Sequence, residues 1–173
     1  MSDAKNEALK LLPFLSLAPE DTLPKGATLQ QLDDFEARTS LRLPHQIKDC
    51  LLLCNGPCVA EGGVYGIRAD RPFLDIETYL NDCPEWLKNK WLPVAGDSCG
   101  NTYVAVLNSG NLDSCPVFFI DHETDGNTLS HQIAPDFWTF LVWLFRRDLN
   151  QKQHRVLDVA RKSTKEQRHE HHH

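Results

Sequence analysis

The spacing of apolar residues predicts helices in the first third of the chain. Residues 4–12 place three apolar side chains, among them Ala8, on one side of a short helix. A second helix is predicted to begin at Thr28, because Gln31 three positions later completes a capping box. The stripe predicted to face inward on this second helix is Leu29, Leu32 and Phe35.

Residues 13–26 are predicted to form a connector before the second helix. A third helix is predicted to follow the second. Pro44 suits its first turn, where a missing backbone N–H costs nothing. The pair Asn55-Gly56 tolerates left-handed backbone and is predicted to end it. This helix is predicted to carry Ile47, Cys50, Leu51 and Cys54.

After Gly56 the pattern changes to short apolar runs separated by polar turns, which is typical of β-strands. A short helix capped by Asp75 and a polar turn over 87–90, between Trp86 and Trp91, interrupt these runs. The predicted strands cover residues 62–69, 92–95, 102–107, 116–120 and 129–133.

The last large element is a helix predicted over residues 135–147. It is apolar on nearly all sides, so we expect cover from the N-terminal helix or from a partner. Residues 149–162 extend or restart it. Helices, successive strands and a closing helix indicate an α+β fold: an antiparallel sheet of about four to six strands with helices packed on one face.

The length and composition fit one globular domain. The chain has 173 residues, of which 41% are hydrophobic and 24% charged, so disorder is expected only at its ends. We divide it into an N-terminal extension over 1–27, a domain over 28–148, and a C-terminal helical extension over 149–173. The final His-rich run is either the remnant of a purification tag or a natural tail, and it carries no functional argument.

Charge is distributed unevenly along the chain. Residues 150–173 hold six basic and three acidic residues, a net charge of +3. Residues 1–149 hold twelve basic and twenty-one acidic residues, a net charge of −9. Phosphate recognition needs clustered Lys and Arg, so this acidic body argues against nucleic acid as a ligand and suits a basic protein partner. The alternative is that the acidity only keeps the protein soluble.

We expect a cytoplasmic protein without a cofactor or structural metal. The first residues lack the pattern of a signal peptide, and no apolar run approaches the length of a membrane span. Six cysteines occur without any C-x-x-C pair, so free thiols are the simplest interpretation. Cys50 and Cys54 lie one helical turn apart, which leaves a weak alternative of a metal site.

Two segments suggest catalysis, and each has a simpler structural interpretation. The run from Gly96 to Gly100 superficially resembles the nucleophile motif of chymotrypsin-like proteases, with Ser98 as nucleophile, but His45 is the only histidine upstream. Cys99 with His122 is a conceivable thiol pair, although nothing in their spacing supports it. A hairpin turn explains the first segment better, and a polar loop explains Asp121-His122-Glu123 better than a metal site.

Four segments in the right order resemble the SUKH superfamily, which includes Smi/Knr-type regulators of yeast cell-wall synthesis and many bacterial immunity proteins. The resemblance covers roughly residues 28–146. Each segment alone has low specificity, and their order carries the case. The segments are Leu43-Pro44 with Asn55-Gly56, residues 91–97 with 100–104, residues 116–123, and residues 133–141.

The resemblance implies an α+β module that binds another protein and has no catalytic set. Many members neutralise a toxin delivered by a rival bacterium, so we expect an immunity protein of a toxin–antitoxin type with a basic toxin domain as partner. The N-terminal extension, basic tail and cysteines leave a eukaryotic or viral regulatory scaffold as one alternative. A small hydrolase using Cys99 or Ser98 is the other.

The binding surface is our own inference from the residues. We place it on the polar loops at one end of the sheet, with two aromatic residues as anchors. The candidate residues are Asp97, Asn101, Asp121, His122, Glu123, Asp125, Tyr65 and Trp86.

Overall fold

The computed structural model describes residues 3–15, 23–59 and 62–170. Within them, six α-helices and four strands form, with 3-10 turns at Leu12–Phe14 and Pro72–Leu74. The helices are α1 Asp3–Leu11, α2 Leu29–Thr39, α3 His45–Leu53, α4 Ile76–Asp82, α5 Pro84–Lys88 and α6 Phe137–Glu170. The strands are β1 Trp91–Gly96, β2 Thr102–Val106, β3 Val117–Ile120 and β4 His131–Ala134.

The four strands form one antiparallel sheet in chain order, and this confirms the predicted α+β class. Because each strand reverses the last, the β1–β2 and β3–β4 loops emerge at the same end of the sheet, and the β2–β3 loop emerges at the other. Every residue of β1 and β2 is buried. Both faces of these two strands are therefore covered, so a polar–apolar alternation is absent.

α1 supplies the cover that the apolar closing helix needs. It packs along α6, where Trp138 is only 3% exposed. Lys5 places its ammonium 5.7 Å from the centre of the Trp138 ring, and Glu7 pairs with Arg146. Of the two expected sources of cover, the N-terminal helix is confirmed for this part of α6.

The local capping signals fold as predicted. Thr28 and Gln31 form both bonds of the capping box, at 3.1 and 2.8 Å. Asp75 accepts from the backbone N–H of Thr78 at 3.2 Å and caps α4.

Leu29 was wrongly predicted to face inward, since it is 69% exposed. Leu29 and Phe35 are six residues apart, so at 100° per residue their side chains point about 120° apart around the helix. Leu29 therefore lies off the buried face.

The predicted strand over residues 62–69 was wrong. Only single bridges form there, Val64 with Ala95 and Gly66 with Asp75. Gly63 turns the chain with a φ of +80°, and the backbone of Ile67 bonds to a side chain of another segment, so no continuous ladder develops.

Two helical boundaries also differ from the prediction. The polar turn over 87–90 is partly helical, because α5 begins at Pro84, whose fixed φ suits a first helical position. α6 runs without a break to Glu170, across the predicted boundary at residue 148. Part of the predicted connector over 13–26 and the last three histidines lie outside the described residues. None of the described helices combines the length and apolar character of a membrane span.

Candidate functional site

The sheet brings the six polar candidates to one end. Asp97 and Asn101 lie in the β1–β2 loop, and residues 121–125 lie in the β3–β4 loop. These two loops, residues 97–101 and 121–130, are called the loop face below. Its shape depends on which side-chain groups hold the loops, since neither loop contains helix or strand.

The carboxylate of Asp97 organises the β1–β2 loop. Its Oδ1 accepts from the backbone N–H groups of Cys99 and Asn101, both at 2.9 Å. Its Oδ2 accepts from Nδ2 of Asn101 at 2.8 Å. Three donors therefore hold one half-buried carboxylate, which favours its charged form.

Burial alone would raise the pKa of Asp97, yet the pKa lies below its ordinary value. The three hydrogen bonds from Asn101 and Cys99 together outweigh the burial, and the positive charge of Arg147 acts in the same direction. The loop is consequently held by an anion at neutral pH.

Asp97→Asn is expected to make the free energy of unfolding depend less on pH in the acidic range. A lowered folded pKa gives stability that is present above the unfolded value of about 3.9 and is lost as pH falls through the folded value. Wild type should therefore lose more unfolding free energy than the variant between about pH 5 and pH 2. Urea unfolding at several pH values measures this, and Asp33→Asn on exposed α2 is the control. Equal slopes for wild type and Asp97→Asn would contradict the assignment.

Asn101 joins the two loops through its side-chain amide, which contacts Asp97 with the nitrogen and His122 with the oxygen. With Nδ2 turned to Asp97, Oδ1 accepts from the backbone N–H of His122 at 2.9 Å and lies 2.6 Å from Nδ1 of the same residue. An amide oxygen only accepts, so Nδ1 of His122 carries the proton. In the neutral ring, Nε2 is then the acceptor and faces away from this bond.

Gly100 lets the β1–β2 loop adopt a left-handed backbone beside His122. Its φ is +86°, and an added Cβ would lie 3.7 Å from the His122 ring, which is ordinary contact. The cost of a side chain here comes from backbone conformation and not from a clash.

Gly100→Ala is therefore expected to reduce the free energy of unfolding by about 1–2 kcal/mol. Gly126→Ala is the matched control, because Gly126 has neither positive φ nor an atom within 4 Å of its added Cβ. Chemical denaturation of both variants measures the difference. Equal stabilities would show that the loop relaxes around residue 100.

The β3–β4 loop uses its carboxylates to shape its own turns. Oδ1 of Asp121 accepts from the backbone N–H of Glu123 at 2.9 Å, and Oδ1 of Asp125 accepts from that of Asn127 at 3.1 Å. Glu123 and Asp125 are exposed. The loop thus presents negative charge to the outside while its backbone is locally held.

The two aromatic candidates lie in the core, and their burial argues against an anchoring role. Tyr65 and Trp86 are each 5% exposed. Tyr65 stacks on Tyr79 with ring centres 4.3 Å apart. Trp86 supports the loop face from beneath, since its Nε1–H donates to the carbonyl of Gly126 at 2.8 Å.

Sequence reasoning missed Arg147, which borders the loop face from α6. Its guanidinium lies 5.4 Å from the Trp143 ring centre and donates to the hydroxyl of Tyr103 at 3.3 Å. The i, i+4 spacing of Trp143 and Arg147 was the available signal. A shallow cleft beside it is lined by Gly96, Asp97, Tyr103, Leu144, Arg147, Asp148 and Gln151.

The pairing of Ser98 with His45 gains no support from the geometry. His45 lies beside Asp113 of the β2–β3 loop, at the end of the sheet opposite to Ser98. Burial raises the pKa of Cys54 to about 11 and that of Cys115 to about 12, so both remain thiols at neutral pH. All six cysteines are free. Among the described residues, no group of three His, Cys, Asp or Glu side chains has the arrangement of a metal site.

Comparisons with known proteins identify one family. The model of the SMI1 / KNR4 family (SUKH-1) matches residues 26–143, well over half of the chain. The matched region contains α2 to α5, the whole sheet and the first turns of α6. A search of curated proteins finds no match.

Proposed function

Because the chain belongs to the SMI1 / KNR4 family (SUKH-1), we propose that it is a non-catalytic module that binds another protein. The single observation that carries this proposal is the family match over residues 26–143. Proteins of this superfamily act as a class by binding other proteins. The separation of Ser98 from His45 agrees with a role without chemistry.

The loop face is the surface we assign to the partner. Its two loops are joined by the bonds of Asn101 to Asp97 and His122, so little conformational freedom remains to be lost on binding. Asp121, Glu123 and Asp125 give it a negative potential. A partner with Lys or Arg at the contact matches this charge.

The partner we propose is a basic toxin domain, which would make the protein an immunity protein. The net charge of −9 over residues 1–149 supports this choice, since it attracts a basic domain over long distance. A regulatory scaffold is the second candidate. It is favoured by α1 and by α6 beyond residue 143, which lie outside the matched region and offer further surfaces.

Ser98→Ala and Cys99→Ala are expected to leave partner binding and biological protection unchanged within about twofold. Both residues are exposed, and the loop is held by Asp97, Asn101 and His122 instead. Titration of the purified partner with each variant measures this. Loss of protection by a folded variant would favour the hydrolase alternative.

The proposal is tested by capture from the native host with a matched loop variant. Asp121→Asn with Glu123→Lys removes three units of negative charge and keeps an acceptor oxygen at position 121 for the turn. Wild type should capture a basic protein that the variant loses, and the purified pair should form a stoichiometric complex. A partner held equally by both forms would contradict the assigned face, and conversion of a substrate would contradict the function.

A further inference from the structure

The distal part of α6, residues 149–162, forms an amphipathic helix separate from the loop face. At 100° per residue, its aliphatic positions fall within an arc of about 160°, whereas Arg161 and Lys162 lie just outside the two edges of that arc and Asp158 lies opposite its centre. The aliphatic positions are Leu149, Leu157, Val159 and Ala160. Such a stripe normally packs against another element.

α1 leaves the distal end of this stripe, beyond Leu149, uncovered. The N-terminal elements run along α6 in the same direction, with Lys5 beside Trp138 and the carbonyl of Phe14 bonded to Lys152 at 3.3 Å. Beyond that point Leu157 is 53% exposed and Val159 is 65% exposed. Phe14 is also exposed, and with four α6 residues it lines an open apolar groove. The α6 residues are Leu149, Lys152, Gln153 and Leu157.

The charges beside this stripe have one sign. Residues 149–170 carry a net charge of +3, and the exposed Lys152, Arg161 and Lys162 lie within the described turns. Asp158 falls on the face opposite the stripe. A partner that covers the stripe therefore meets positive charge at its edges, whereas the rest of the chain is strongly negative.

We propose that the distal part of α6 is a second docking surface, which takes an acidic amphipathic helix from a protein partner. The partner's apolar side chains cover Leu149 and Leu157 and extend to Phe14, and its carboxylates pair with Lys152, Arg161 and Lys162. A second copy of this helix fits less well, because its flanking charges are also positive. A membrane surface fits less well, because the stripe is aliphatic and short and the rest of the chain is acidic.

The test uses the full chain and a synthetic acidic helix as probe. A fluorescein-labelled peptide of roughly 18 residues, with Leu on one face and Glu beside it, is titrated with the protein. A scrambled peptide of the same composition is titrated in the same way for comparison. Wild type should bind the amphipathic peptide at least about tenfold more tightly than the scrambled one. Leu157→Asp and the double variant Arg161→Glu, Lys162→Glu should each weaken binding of the amphipathic peptide about tenfold. Asp158→Asn on the opposite face is the matched control and should change nothing.

Three outcomes would overturn the proposal. The first is equal affinity for both peptides, and the second is binding to phosphatidylserine vesicles without binding to the peptide. The third is a dimer in sedimentation that Leu157→Asp abolishes. Circular dichroism confirms that each variant keeps its helix. The variant Asp121→Asn, Glu123→Lys should bind the peptide normally, so failure here is distinguishable from failure of the loop face.

Discussion

Asn55→Ala is expected to lower the free energy of unfolding by about 2–4 kcal/mol. Asn55 is 7% exposed and holds the backbone of Ile67 with both amide atoms. Its Oδ1 accepts from the N–H of Ile67 at 2.8 Å, and its Nδ2 donates to the carbonyl of Ile67 at 3.0 Å. Removing the side chain leaves both backbone groups without these partners inside a largely buried region.

The neighbouring glycines explain why water cannot easily take the place of that amide. An added Cβ on Gly66 would lie 2.6 Å from the backbone nitrogen of Gly56, so the two chains are in close contact. Chemical denaturation measures the loss, with Asn150→Ala on the exposed side of α6 as control for the same substitution. A loss below about 0.5 kcal/mol would show that the two backbone groups find other partners.

The loop variant Asp121→Asn, Glu123→Lys is expected to slow association with the basic partner by about tenfold at low salt. Complementary charge mainly accelerates encounter, so dissociation should change less. The difference between wild type and variant should shrink as salt rises, because the Debye length falls from about 10 Å at 0.1 M to about 3 Å at 1 M. Surface plasmon resonance over that salt range measures both rates.

A control variant with the same change in net charge distinguishes a contact at the loop face from general attraction by the acidic body. Asp33→Asn with Asp113→Lys also raises the net charge by three units, but on α2 and at the opposite end of the sheet. It should slow association clearly less than the loop variant. Association rates that are independent of salt, or equal for the two variants, would rule out the loop face as the contact.

Local signals in the sequence were sufficient for most of the helices and strands. The capping box of Thr28 and the cap of Asp75 depend on residues three positions apart, so no distant contact is needed to form them. The four strands of the sheet were found because short β-rich runs stood between polar turns. The family was identified from the same segments, and the match over 26–143 confirms it.

Elements that depend on distant partners were not predictable in this way. Residues 62–69 have the composition of a strand, yet Asn55 takes the backbone groups of Ile67 and Gly63 bends the chain. The division of the chain into three parts stays a prediction, and α6 crosses its second boundary without a break.

For the candidate site, the sequence by itself determined which residues are polar and that they follow strands. Because antiparallel order places alternate loops at one end, Asp97 and His122 could be expected near each other. Only the tertiary structure decided that Asn101 joins them, since an amide bridge needs two loops at hydrogen-bonding distance. It also placed Tyr65 and Trp86 inside, because an aromatic side chain packs wherever neighbouring elements leave apolar space, and that space is a property of the assembled fold.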